Sequence, residues 1–290
     1  MKTFLKIILM TTSVPLIAAC SSSTPPSLET SKMETSMPSN TEKVVALLES
    51  FNTGDKTPIS YINAEKYIQH NLDVADGLAG FGEVMRNAPP QGFSAKVHRA
   101  FADGDYVVAH TEYDFFGPKA GFDVFRFEDG LIVEHWDNLT DVTPPNPSGR
   151  TQFDGVTEIS DLDKTEENKA VIEGFINNVL LGGQMDMLTS YINSNKYIQH
   201  NSAVADGLDG FGEAMKYFAE NDLVMEYEKL HFILGQGNFV LAMSEGKFGK
   251  GDPVAFYDLF RLENGLIVEH WDVIQTIPAK SDWKNQNGKF

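Results

Sequence analysis

Two strand-like runs place an acid and a histidine where proton chemistry could use them. In Phe122 to Phe127 a period of two puts Asp123 on the face of Phe125 and Phe127, and a second copy puts Asp258 with Phe260 and Leu262. Desolvation on an apolar face raises a carboxyl's proton affinity toward neutrality, as a general acid or base requires. The same pattern also fits a carboxylate satisfied by a buried arginine, hydroxyl or backbone donor. In the preceding run Tyr106, Val108, His110 and Glu112 share one face, and the second copy presents Phe239, Leu241, Met243 and Glu245. A lone histidine among apolar neighbours is more often a satisfied core residue than a catalyst. An acid on the adjacent strand strengthens the catalytic reading of Asp123 with His110, although sequence does not set the register that would join them.

The remaining histidines are less directed. The run KYIQHN supplies His70 with Asn71, and again His200 with Asn201, either as helix-terminating residues or as polar groups at a pocket mouth. His98 and His231 read as solvent-facing or packing residues. His135 and His270 lie beside Trp136 and Trp271 in IVEHWD, and alternation leaves open which of the neighbours faces inward. No two histidines sit at metal-ligand spacing on one helix, so no metal site is expected, and neither a phosphate loop nor a Gly-X-Ser-X-Gly elbow occurs.

These residues sit in elements that are written twice. Residues 61–85 and 191–215 are identical at 19 of 25 positions, and FEDGLIVEHWD at 127–137 returns as LENGLIVEHWD at 262–272. Two units follow, 42–160 and 161–290; two copies of this length indicate duplicated domains and not a solenoid. Helical spacing of Val44, Leu47, Leu48 and Phe51, and of Ile172, Phe175, Ile176 and Val179, opens each unit behind the candidate caps Thr41 and Thr165. Shorter helical pieces are expected around Lys66 to His70 and Leu78 to Met85. Strands are expected over Ala95 to Ala102, Tyr106 to Phe115, Phe122 to Phe127 and Leu131 to Asn138, with links too short for parallel crossovers. The expected fold is α+β, used twice, with three N-terminal helices on one face of an antiparallel sheet.

Of the 290 residues, 41 are acidic and 23 basic, giving a formal charge of −18, so nucleic acid is not an expected partner. The charge is shared: 42–160 carries 19 acids and 9 bases, and 161–290 carries 20 and 11. The single cysteine, Cys20, can form neither an internal disulfide nor a cysteine cluster. It ends a stretch with a basic start (Lys2, Lys6), an apolar run from Ile7 to Ile17 and the small residues Ala18 and Ala19, the layout of a signal peptide over 1–19. The tetrad Ile17-Ala18-Ala19-Cys20 resembles a bacterial lipobox, which implies lipidation of Cys20 and membrane attachment in the cell envelope. In a Gram-negative cell, Ser21 would imply the outer membrane, facing the periplasm. Residues 20–41, rich in serine, threonine and proline, read as a flexible tether.

KYIQHN, VADGLAGF, the Phe-Asp-X-Phe-Arg strand and IVEHW together resemble the SnoaL-like polyketide cyclase relatives of the nuclear transport factor 2 like superfamily, over both units. The resemblance implies two cone-shaped α+β barrels, each with a pocket inside the cone. It implies that Asp123, assisted by His110, is the acid–base residue of an aldol-type condensation, isomerisation or hydrolysis needing no cofactor. Its second-unit match, Asp258, lacks the histidine because Met243 stands there. Candidate pocket residues are Tyr106, Glu112, Phe125, Trp136 and His70, with Glu245, His200 and Trp271 in the second unit. The expected ligand is small and apolar or carbonyl-containing. The alternative is a non-catalytic binding or scaffolding lipoprotein whose units pack as a pseudo-dimer.

Overall fold

Ser39 starts the first helix through a capping box: its hydroxyl accepts from the Glu42 N–H while the Glu42 carboxylate accepts from the Ser39 N–H at 2.7 Å. The expected cap at Thr41 therefore lies two residues too late. Helix α1 (Asn40–Thr53) buries Val44, Leu47 and Leu48 and ends at Gly54, whose φ of 69° is the left-handed conformation that glycine adopts without strain. The computed structural model describes residues 37–290; the expected signal peptide, Cys20 and most of the expected tether lie outside the described residues. No helix among the described residues is long and apolar enough to cross a membrane.

The Lys66 to His70 run is not helical. The Asn63 side chain accepts from the N–H groups of Glu65 and Lys66, closing a turn. The chain then leaves as a short strand, β1 (Ile68–Gln69), that pairs in parallel with Glu134 and His135. Helix α2 (Gly77–Arg86) follows, then β2 (Ser94–Asp103), β3 (Tyr106–Asp114), β4 (Pro118–Glu128) and β5 (Leu131–Asp141). The sheet runs β1-β5-β4-β3-β2 and is mixed, because only β2 to β5 are antiparallel.

The second half repeats this order. Helix α3 (Thr165–Phe175) continues into a π-helical turn over Ile176–Leu181 and is followed by a short α4 (Leu188–Tyr191). Thr165 does not cap α3 with its side chain; its hydroxyl donates to Leu162 O and accepts from the Gly237 N–H. Then come β6 (Ile198–Gln199), α5 (Gly207–Glu220), β7 (Val224–Gln236), β8 (Phe239–Gly249), β9 (Asp252–Glu263) and β10 (Leu266–Thr276), in the sheet order β6-β10-β9-β8-β7. The chain is α+β with two five-stranded mixed sheets.

Each sheet uses its two faces differently. In the first, Val107, Ala109, Tyr113, Phe125 and Phe127 pack on α1. The alternate residues Val108, Phe122, Val124 and Trp136 face the other way and join Leu241, Met243, Tyr257 and Trp271 in one core shared by the halves. At about 1.5–3 kcal/mol per fully buried large apolar side chain, that shared core holds the two sheets together. Asn138 lies within it and donates to Ala255 O and Val273 O at 2.9 and 2.8 Å.

Candidate functional site

Direct cross-strand pairing fixes which side chains meet. Asp123 pairs with Ala109 on one side and Asp137 on the other, and Phe125 pairs with His135, so all of them point to the helix-covered face. His110 pairs with Phe122 and points to the opposite face. The expected Asp123–His110 couple is therefore not formed: the two stand on opposite sides of the sheet. The histidine that meets Asp123 is His135, whose Nε2 is 3.3 Å from Asp123 Oδ1.

The protons of this pair can be counted. Gln69 Oε1 accepts the Asn71 N–H at 2.8 Å, so an acceptor atom faces His135 Nδ1 at 3.2 Å, and Nδ1 must carry a hydrogen. Nε2 is left facing Asp123 Oδ1, and a proton placed on either atom would be donated to the other. Asp123 Oδ2 accepts from the Tyr113 hydroxyl at 2.7 Å and the Thr111 hydroxyl at 3.2 Å. Burial pushes the Tyr113 phenol well above its usual range, so it remains a donor. Asp137 accepts from Asn71 Nδ2 at 2.7 Å through Oδ2, while its buried Oδ1 has no hydrogen-bond partner.

The second half rebuilds the set. His270 Nδ1 faces Gln199 Oε1 at 2.9 Å, its Nε2 is 3.1 Å from Asp258 Oδ1, and Asn201 Nδ2 donates to Asp272 at 2.7 Å. Burial opposes charge on His270, but the hydrogen bond that its Nε2–H donates to Asp258 and the charges of Asp272 and Asp258 outweigh it and raise its pKa above the ordinary histidine value. Burial likewise raises Asp272, against the pull of His270. The phenol now comes from another strand: Tyr227 on β7 donates to Asp258 at 3.1 Å. The pair Ala95–Tyr113 of the first sheet is matched by Tyr227–Gly246 in the second, with large and small residues exchanged across the ladder.

Each set lines a cavity between sheet and helices. Leu47, Phe51, Phe81, Tyr113, Phe125 and His135 are among the walls of the first, which has about 80 Å³ open to the centre of a water molecule. The second has about 350 Å³ and is walled partly by Tyr197, Phe218, Tyr227 and Phe260. Ala214 there stands at the repeat position of Val84, and α5 extends to Glu220.

Several expected pocket residues belong elsewhere. Tyr106 and Trp136 pack in and against the shared core, as does Trp271, because strand alternation turns them outward. Glu112 and Glu245 share that outer face, beside His98 and His231. His110 is buried; desolvation and the neighbouring Arg99 charge hold its pKa well below the ordinary value, and its Nδ1 lies 3.2 Å from Arg99 Nη1 as an acceptor. Met243 costs the second site nothing, since its position faces the shared core. His70 and His200 neither cap a helix nor line a cavity: each stacks on a tryptophan (Trp136, Trp271) with its Nε2 2.9 Å from a glutamate (Glu134, Glu269). Phe125, Asp123 and Asp258 do line the cavities.

Two straps, one after each sheet, cross to the opposite half. Asn146 Nδ2 donates to Gln199 O and Val204 O at 2.7 and 2.8 Å, and Thr151 O lies 2.8 Å from His200 Nδ1. Reciprocally, Asn285 Nδ2 donates to Asn71 O and Val74 O at 2.7 and 3.0 Å, and Gly288 O lies 2.9 Å from His70 Nδ1. Each half thus clamps the loop that carries the other half's glutamine and asparagine. Phe153 stacks on His98 and Phe290 on His231 in the two straps.

Asp123, His135 and Asp137 each offer one ligand atom within 4.8 Å of the others, as do Asp258, His270 and Asp272. A cation there would compete with protons for the lone pairs of the histidine and the carboxylates. The expectation of no metal site rested on spacing along helices and does not reach these sheet-built groups.

Residues 44–135 match the family model of the SnoaL-like domain, and the chain carries such a domain there. No curated protein matches the chain. Solved structures similar to parts of it include TsrD from Streptomyces laurentii (22% identity, covering 38% of this chain and 89% of that one, TM-score 0.31). A SnoaL-like polyketide cyclase from Agrobacterium tumefaciens is 15% identical, covering 37% and 91%, with a TM-score of 0.30. An LEH-like epoxide hydrolase from M. tuberculosis is 17% identical, covering 39% and 85%, with a TM-score of 0.31.

Proposed function

We propose that both halves are SnoaL-like units that bind small, neutral, mostly apolar carbonyl compounds and move a proton next to the carbonyl, in isomerisation or aldol-type condensation. The observation that supports this is the buried, partnerless Oδ1 of Asp137, a wall residue of the first cavity, next to the His135–Asp123 pair. Asp137 and Asp272 are the bases that take the proton alpha to the carbonyl. The His135–Asp123 and His270–Asp258 pairs stabilise and protonate the developing enolate oxygen. Among the described residues neither cavity wall contains lysine or arginine, which favours neutral over anionic ligands. The chemistry asks for no cofactor.

The test is proton–deuterium exchange alpha to the carbonyl of a panel of methyl ketones in D₂O, followed by NMR with the full chain. Asp137→Asn combined with Asp272→Asn should slow exchange at least about 100-fold. Ketones that bind without exchanging in the unaltered protein would overturn catalysis in favour of a binding protein. The shared core between the sheets supports that second reading, a covalent pseudo-dimer serving binding or scaffolding.

The same proposal places the protein at the bacterial cell envelope, held by acyl chains on Cys20, because the only cysteine ends a signal-like stretch. At about 0.8 kcal/mol per buried methylene, two or more chains make such an anchor stable. Cys20→Ser should release the protein from membranes, and retention of this variant would refute the anchor.

A further inference from the structure

In both halves the inner cavity shares wall residues with a cleft outside it. In the first half Asn71, Phe115 and Leu139 line both the inner cavity and a second cleft outside it; in the second half the repeat equivalents Asn201, Phe248 and Ile274 do the same. Each outer cleft is walled in part by the opposite half. Gln275 and Lys284 close the first, and Thr140, Asp141, Thr143 and Gln152 close the second. The clefts have about 310 and 330 Å³ open to the centre of a water molecule. Inner cavity and outer cleft therefore meet at these residues, the inner one mostly apolar and aromatic and the outer one more polar.

The outer ends differ in charge. The first cleft mixes Asp73 and Glu83 with Lys284. The second is lined by Asp141, Asp252 and Asp272 together with Thr140, Thr143, Ser202 and Thr276, and holds no lysine or arginine among the described residues. Asp141 is answered by Lys119, whereas Asp252 has no ion-pair partner among the described residues. A ligand part reaching this cleft meets acceptors and negative charge, so a donor-rich cationic group is favoured and an anionic one repelled.

We infer that the second half takes a two-part ligand: an aromatic or alicyclic carbonyl head in the inner chamber and an amine-bearing tail that passes Asn201, Phe248 and Ile274 into the cleft walled by the first half. This deepens the proton-transfer reading and rests on it for the head. It also gives the tandem arrangement a role in recognition, because Thr140, Asp141, Thr143 and Gln152 of the tail's walls come from the other unit. The first half, with an inner cavity of about 80 Å³, takes a smaller head.

The test uses acetylnaphthalene as the head and three derivatives whose three-carbon tail ends in a methyl, an ammonium or a carboxylate. Fluorescence titration of the full chain should show the ammonium tail binding about 10-fold tighter than the methyl tail, the gain of one charge-assisted hydrogen bond. The carboxylate tail should bind weakest. Asp252→Asn and Thr140→Trp, which respectively remove a carboxylate and fill the cleft, should each shrink the ratio of ammonium to methyl binding toward one. Equal binding of all three tails by the unaltered protein would overturn the two-part site. Failure of acetylnaphthalene itself to bind would overturn the ligand reading beneath it.

Discussion

The two halves reach one site by different routes. Both fix a histidine Nδ1–H with a glutamine oxygen, hold one carboxylate with an asparagine amide, and give the other carboxylate a phenol. In the first half the phenol is Tyr113 on β3, opposite Ala95; in the second it is Tyr227 on β7, opposite Gly246. What is kept is the donor at the carboxylate, not the position that supplies it. On the outer face the halves diverge with no effect on the site, as His110 and Met243 show.

The largest difference should appear in catalysis. For ketones with a bicyclic head, Asp272→Asn alone should slow alpha exchange at least about 100-fold, while Asp137→Asn should leave it nearly unchanged, because only the second chamber has room. Equal losses from the two variants would erase the proposed division. Gly246→Ala tests the phenol exchange: its Cβ would sit 1.9 Å from Glu226 O. It should cost about 1–3 kcal/mol in denaturant unfolding, and a neutral result would show that the ladder can yield. Asn146→Ala should loosen the second site and Asn285→Ala the first, each losing at least two hydrogen bonds worth about 1 kcal/mol apiece. Ring NMR signals of His270 should shift in the former and those of His135 in the latter; shifts in the strap's own half would reverse the clamp assignment.

Much of this was legible in the sequence. The α+β class and the four long strands of the first half follow from alternation and turn residues, and Asp123 and Asp258, which line the cavities, stand out in the sequence as acids on an apolar face. His135 was missed because alternation in IVEHWD is equally consistent with either face until a neighbour's register is known. The duplication held the usable signal. Tyr67, Gln69, Asn71, His135 and Asp137 all return unchanged at 130 or 135 residues' distance, whereas His110 does not. The short parallel strands β1 and β6 were unreadable because two residues carry no period, and the straps because their asparagines recognise backbone and not a pattern.

The smallest effect is one of pH. His110 has a depressed pKa in the fold, so the unfolded chain takes up its proton first as pH falls below about 6.5, and stability is lost in that direction. His110→Met should flatten this acid limb by at most about 1.4 kcal/mol per pH unit. His270 behaves oppositely: its pKa is raised, so its contribution is full below the ordinary histidine value and is lost as pH rises through the raised one. An unchanged acid limb in His110→Met would mean that His110 is charged in the fold.

The most direct measurement of the central claim is long-range proton–nitrogen NMR of the histidine rings across pH, with and without a bound ketone. Expected are Nδ1–H on both His135 and His270 throughout, an Nε2 proton on His270 persisting above the ordinary histidine pKa, and ligand-induced shifts at these two rings with His110 silent. Ligand shifts at His110, or bare Nδ1 atoms on His135 and His270, would contradict it.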